Sequence, residues 1–96
     1  MKIIKKTNVP LEPAHGGEGT RQMLLSTGEI SNPDFSAFTH GYLPAGGKYS
    51  WHSHEHIDEM VFVLKGSGFV RDRDGEYPFI EGDFFVFPEN IEHEIE

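Results

Sequence analysis

The sequence predicts an all-β protein, and three observations carry that prediction. Short runs rich in β-branched and aromatic residues recur along the chain, each bounded by turn-forming residues. Eleven glycines and six prolines are scattered rather than clustered, as many tight turns require. No segment longer than a turn repeats its apolar residues at the helical period, and no internal repeat is visible. Strands of this kind assemble into a sandwich or a small barrel.

The elements follow in order. Ile3-Ile4 and Arg21 to Thr27 are predicted strands on either side of a polar loop, Glu12 to Gly19, that carries His15 and Gly16-Gly17. Turn residues fill Ser26 to Glu29 and Ser31 to Asp34, where Gly permits a positive φ and Asn and Asp start turns. Phe35 to Leu43 is the next strand, stopped by Pro44-Ala45-Gly46-Gly47. Lys48 to His54 follows, then Glu59 to Lys65, whose Met-Val-Phe-Val-Leu run is the most β-prone in the chain. Gly66-Ser67-Gly68 leads into Phe69 to Arg71, and Asp74-Gly75 predicts a type I′ hairpin back into Tyr77 to Ile80. Arg71 to Asp74 reads as a solvated hairpin tip, and Asp83 as a turn former. Phe84 to Phe87 runs up to Pro88, and His93 to Glu96 begins one more strand.

At 96 residues the chain suffices for one hydrophobic core, so a single domain spanning 1-96 is expected. Within it, 1-34 supplies N-terminal strands and loops, and 35-96 the main β-structure. A net charge of −8 argues against nucleic acid and against anionic membrane surfaces as partners. An anionic small-molecule substrate or ligand stays compatible, because a bound dication reverses the local charge. The absence of cysteine removes disulfides and thiolate ligands. Met1 to Lys6 holds three lysines and two isoleucines with no apolar segment after them, and no stretch reaches membrane-span length, so a cytoplasmic protein is expected.

The chemistry lies in His52-Ser53-His54, Glu59 and His93. Side chains alternate along a strand, so His52 and His54 are expected on one face, two residues' rise apart. Glu59 opens the following strand and can return to that face, with Val61 and Val63 forming an apolar wall beside it. A further hairpin must deliver His93, five residues past Pro88. Nitrogen and carboxylate donors without sulfur suit one divalent ion of Fe, Mn, Ni, Cu or Zn. Four protein ligands leave positions open on an octahedral ion, as a reactive site requires. His56 is a candidate catalytic proton carrier, since it could extend the same-face series and imidazole titrates near neutrality; the plainer reading is an exposed loop residue. Asp58 is an outside candidate for a ligand. His15 and His40 read as structural or exposed, and Phe38, Tyr42, Tyr49 and Trp51 as core, interface or pocket lining.

These residues resemble the cupin superfamily. Its first motif, Gly-x5-His-x-His-x3,4-Glu-x6-Gly, is matched by Gly46, His52, His54, Glu59 and Gly66. Its second, Gly-x5-Pro-x-Gly-x2-His-x3-Asn, is matched by Gly82, Pro88 and His93. Asn90 stands where that motif has Gly, and its final Asn would fall one position beyond Glu96. Two ordered motifs are far more specific than a lone His-x-His. The resemblance is close over 35-96 and rests on length and strand pattern before that. It implies a double-stranded β-helix, or jelly-roll, barrel in which His52, His54, Glu59 and His93 hold the metal. It also implies a homodimer and about two further strands past His93. Either a partner subunit covers the resulting edge or the native protein continues past Glu96.

Three functions are then open: a mononuclear metal enzyme (dioxygenase, isomerase, lyase or decarboxylase), a non-catalytic module binding a small ligand, or an assembly protein with vestigial ligands. The enzyme ranks first.

Overall fold

Antiparallel ladders run through the computed structural model, which describes Met1–Glu96. The strands are β1 (Glu12–Ala14), β2 (Gly19–Ser26), β3 (Ala37–Tyr42), β4 (Tyr49–His52), β5 (Glu59–Phe62), β6 (Gly68–Asp72), β7 (Gly75–Phe79), β8 (Phe84–Phe87) and β9 (His93–Ile95). Helical structure is confined to two three-residue 3-10 turns, Lys6–Asn8 and His15–Gly17. The all-β prediction holds. No helix is long and apolar enough to cross a membrane. The chain divides into two compact units, Met1–Gly47 and Lys48–Glu96.

The first unit is a sheet ordered β1-β2-β3. Two expectations fail here. Ile3-Ile4 forms no strand, and the presumed loop from Glu12 opens with β1, paired to β2 through Glu12↔Arg21 and Ala14↔Gly19. Pro13 concealed this strand, because proline cannot donate to a ladder; on a sheet edge it is tolerated. Arg21 Nε donates to Glu12 Oε1 at 2.8 Å across the facing pair.

Gln22 ties the N-terminal segment to this sheet. Its side chain is buried; Nε2 donates to the Lys6 and Val9 carbonyls at 3.0 and 2.9 Å, and Oε1 accepts from the Tyr42 hydroxyl at 2.8 Å. Alanine at this position removes three hydrogen bonds at once. A loss of about 1–3 kcal/mol is expected for Gln22→Ala, at roughly 1 kcal/mol for each bond. Equilibrium urea unfolding checks it, and an unchanged midpoint would refute it.

The second unit holds a four-stranded sheet, ordered β4-β9-β6-β7, and a two-stranded ribbon, β5-β8. Pro78 is accommodated on β7 because β7 is an edge strand. In the ribbon Glu59 faces Phe87 and Val61 faces Phe85, so all four point to one side. Met60, Phe62, Phe84 and Val86 occupy the other side and are exposed. Val63, Val70 and Phe87 are buried with His93.

The β6–β7 hairpin departs from expectation twice. Asp72 faces Gly75, so Arg73 and Asp74 are the turn residues, and neither has the positive φ that a type I′ turn demands. Asp72 shapes the turn instead, its Oδ1 accepting from the Asp74 and Gly75 N–H groups at 2.9 and 3.0 Å. Nor are the arginines simply solvated. Arg71 donates to Glu96 at 2.9 Å and Glu94 at 3.1 Å, and also to Glu76. The Glu96 and Glu76 carboxylates, Glu96 foremost, hold its guanidinium above the usual range. Arg73 donates to Glu92 at 2.6 Å and lies 4.0 Å over the Trp51 ring. Asp83 behaves as predicted, accepting from the Ile80 N–H at 2.9 Å within its own turn.

Candidate metal centre

Three stretches of the second unit deliver the four candidate ligands. The β4–β9 ladder sets His52 opposite His93. Glu59 is the first residue of β5. His54 lies beyond the end of β4, so simple strand alternation does not place it; the backbone there is held by the Asn90 N–H, which donates to the His54 carbonyl at 2.8 Å. Asn90 has a φ of 66°, in the left-handed region its motif reserves for glycine, and Asn is among the few other residues that enter it readily. Gly82, with a φ of 90°, makes the turn ahead of β8 in the same region.

The four side chains converge. One donor atom from each of His52, His54, Glu59 and His93 lies within 4.8 Å of every other. Donors around an ion at about 2.1 Å are separated by roughly 3 Å when adjacent and about 4.2 Å when opposite, so contraction of the widest spacing by roughly half an ångström brings all four donors to one ion. Glu59 Oε2 is 2.9 Å from His54 Nε2 and 3.3 Å from His93 Nε2. Two imidazoles are aimed from behind, with His52 Nδ1 2.7 Å from the Ser50 carbonyl and His93 Nδ1 2.9 Å from the Ile91 carbonyl. Each such bond puts the proton on Nδ1 and leaves Nε2 as a lone-pair donor toward the centre, the arrangement found behind metal-bound histidines.

His93 is completely buried, and Phe87 stacks flat on it with ring centroids 3.7 Å apart and planes 4° from parallel. Sequence reasoning missed this contact, which follows from the facing of Glu59 and Phe87 across the ribbon.

Charge is balanced within the cluster. Burial would raise the Glu59 carboxyl, but the His93, His54 and His52 imidazoles outweigh it and hold the group below the ordinary carboxylate value. Burial likewise pulls His93 down, and the Glu59 carboxylate with the Ile91 carbonyl overcomes it, leaving the imidazole above its ordinary value. Glu59 Oε2 and His93 Nε2, 3.3 Å apart, are nevertheless buried and make no well-formed hydrogen bond. Buried polar atoms in that state call for a further group. A divalent cation fits the donor set and satisfies both.

Two other candidates lie outside the cluster. His56 has a side chain 91% exposed, with Nδ1 3.8 Å from Glu89 Oε2. Because β4 ends at His52 and His56 takes a φ of 60°, the same-face series does not extend to it. Asp58 is not among the converging donors; it accepts from the Glu89 N–H at 3.0 Å.

The model of the Cupin_2 family, a cupin domain, matches residues 39–96. The chain belongs to the cupin family. Among solved structures, this cupin is similar to a predicted oxalate decarboxylase from Thermotoga maritima, with a TM-score of 0.88 and 23% identity over 99% of this chain and 86% of that one. It is also similar to a cupin-2 domain containing protein from Shewanella frigidimarina, with a TM-score of 0.49 and 17% identity over 90% of this chain and 67% of that one. No curated protein matches it. At 23% identity the likeness to the Thermotoga maritima protein speaks for the fold, and the chemistry of this cupin must come from its own residues.

Proposed function

We propose that this cupin is a mononuclear metal enzyme, built as a jelly-roll barrel, acting on a small oxygenated metabolite that chelates the ion through two oxygens. The observation that carries the reading is the convergence of three imidazole nitrogens and one carboxylate oxygen within 4.8 Å. His52 and His93 hold fixed tautomers, Glu59 supplies the negative charge, and four ligands leave room for a substrate. When bound, a divalent ion there supplies Lewis acidity, or electron exchange if it is a redox-active metal. Val61, Phe85 and Phe87, on the Glu59 side of the ribbon, form an apolar wall that limits water. The name of the Thermotoga maritima relative makes decarboxylation of a small dicarboxylate the first reaction to try.

One observation favours a non-catalytic ligand-binding module as the second reading. The ribbon wall offers no proton donor, and His56 is solvated beside Glu89 rather than turned to the ligands. Elemental analysis of protein purified without a nickel-affinity step, followed by carbon dioxide release and oxygen uptake with oxalate and small keto and hydroxy acids, separates the two. Near-stoichiometric metal with substrate consumption is the expected result. Metal and ligand binding without consumption would transfer the assignment to the binding module, and protein free of metal under metal-replete expression would defeat both.

A further inference from the structure

The β5–β8 ladder stops one residue short of Asp58, next to the metal centre. The ladder pairs Glu59 with Phe87, and its next step would place Asp58 against Pro88. Hydrogen-bonded pairs alternate along an antiparallel ladder, so the next backbone bond after the Glu59–Phe87 pair would use the Glu89 N–H, and the ladder ends before it. The first available donor on that strand is the Glu89 N–H, and the Asp58 carboxylate takes it at 3.0 Å. A side chain thus takes the donor that a further ladder step would have used.

Resting on the metal-centre reading, we propose that Asp58 is a positioning residue that clips the β4–β5 loop to the β8–β9 loop and so sets the spacing of Glu59 and His54 against His93. Both loops carry ligands at their ends: His54 and Glu59 bound 55–58, and His93 follows 88–92. Each contains a non-glycine residue in the left-handed region, His56 at a φ of 60° and Asn90 at 66°, so each needs ties to hold its path. One tie is backbone to backbone, from the Asn90 N–H to the His54 carbonyl at 2.8 Å. Asp58 supplies the second, from the residue directly before a ligand. Without it the β8–β9 loop is free to drift from Glu59, and the donor atoms lose the close spacing an ion selects.

The test is cobalt(II) titration of the full chain, read by its visible absorption, for the wild type, Asp58→Ala, Asp58→Asn and Asp58→Glu, beside ion-free melting curves. Outer partners of metal ligands alter affinity by roughly 10–100-fold; for a solvent-exposed clip one step removed, Asp58→Ala is expected to weaken cobalt binding about tenfold and change its absorption band. Asp58→Asn keeps an acceptor oxygen in place and is expected to restore wild-type affinity, whereas Asp58→Glu, one methylene longer, is expected to fall between. The Asn and Glu variants decide the matter even if the alanine variant does not fold. Equal affinity in all four proteins, loss in Asp58→Asn matching that in Asp58→Ala, or changes confined to ion-free melting would each overturn the proposal. A wild type that binds no cobalt would overturn the metal-centre reading itself.

Discussion

Replacing His93 by alanine is expected to abolish metal binding, weakening it by more than the ~10–100-fold that a partner one step removed from the ion commands. His93 is the most enclosed of the four ligands, faces His52 across the β4–β9 ladder and lies 3.3 Å from Glu59. Its loss removes one donor and leaves Glu59 Oε2 buried beside a cavity. His54→Ala serves as the control for folding, because His54 is about a third exposed and carries no ring stack of the kind Phe87 makes with His93. Both variants should purify with little metal, while the wild type carries close to one ion per chain. Full metal content in either one removes that residue from the ligand set.

The same ions make metal retention depend on pH, with a definite sign. Without metal, Glu59 and His93 each favour the charged form of the other. The raised His93 contributes stability that is present below its unfolded value and lost as pH rises through its folded one. The lowered Glu59 contributes stability that is present above its unfolded value and lost as pH falls through its depressed folded one. The ion-free protein therefore gains most from this pair in weak acid. Metal binding requires neutral imidazoles, so it works against the proton that Glu59 helps His93 keep. Acidification from neutrality should release the ion while the chain stays folded, and parallel metal and circular-dichroism titrations check that order.

Much of the site was legible because its grammar is local. His52, His54, Glu59 and His93 sit at motif spacings, and a run such as Phe84 to Phe87 is a strand in both sequence and structure. What escaped depends on chain paths that meet far apart in sequence. The Asp58 bond spans 31 positions, and nothing near Asp58 announces the Glu89 N–H opposite it. Glu94 is buried with Arg71 and Lys48 at 3.1 and 3.4 Å, contacts that no local pattern marks. The convergence of His52 and His54 was foreseen for a reason that is only half right, since strand geometry places the first and a loop held by Asn90 places the second.

Phe87→Ala is expected to cost about 3–5 kcal/mol, the usual range for removing a buried aromatic ring. That is a large part of the roughly 5–15 kcal/mol that holds a domain folded. At about 4–8 °C per kcal/mol for a domain near this size, the melting temperature should fall by well over ~10 °C. The ring is buried, stacks on His93 and meets Phe85 with centroids 5.4 Å apart, so one side chain supports both the core and a ligand. Phe87→Leu separates the two roles. It keeps most of the apolar volume, at a cost below about 1.5 kcal/mol if the site repacks, but offers His93 no flat face. Ring stacking is worth about 0.5–1.5 kcal/mol beyond area burial, so this variant should bind metal about three- to tenfold more weakly while remaining folded. Unchanged metal affinity in Phe87→Leu would mean that the Nδ1–carbonyl bond to Ile91 and the β9 backbone suffice to aim His93, and that Phe87 acts on the core alone.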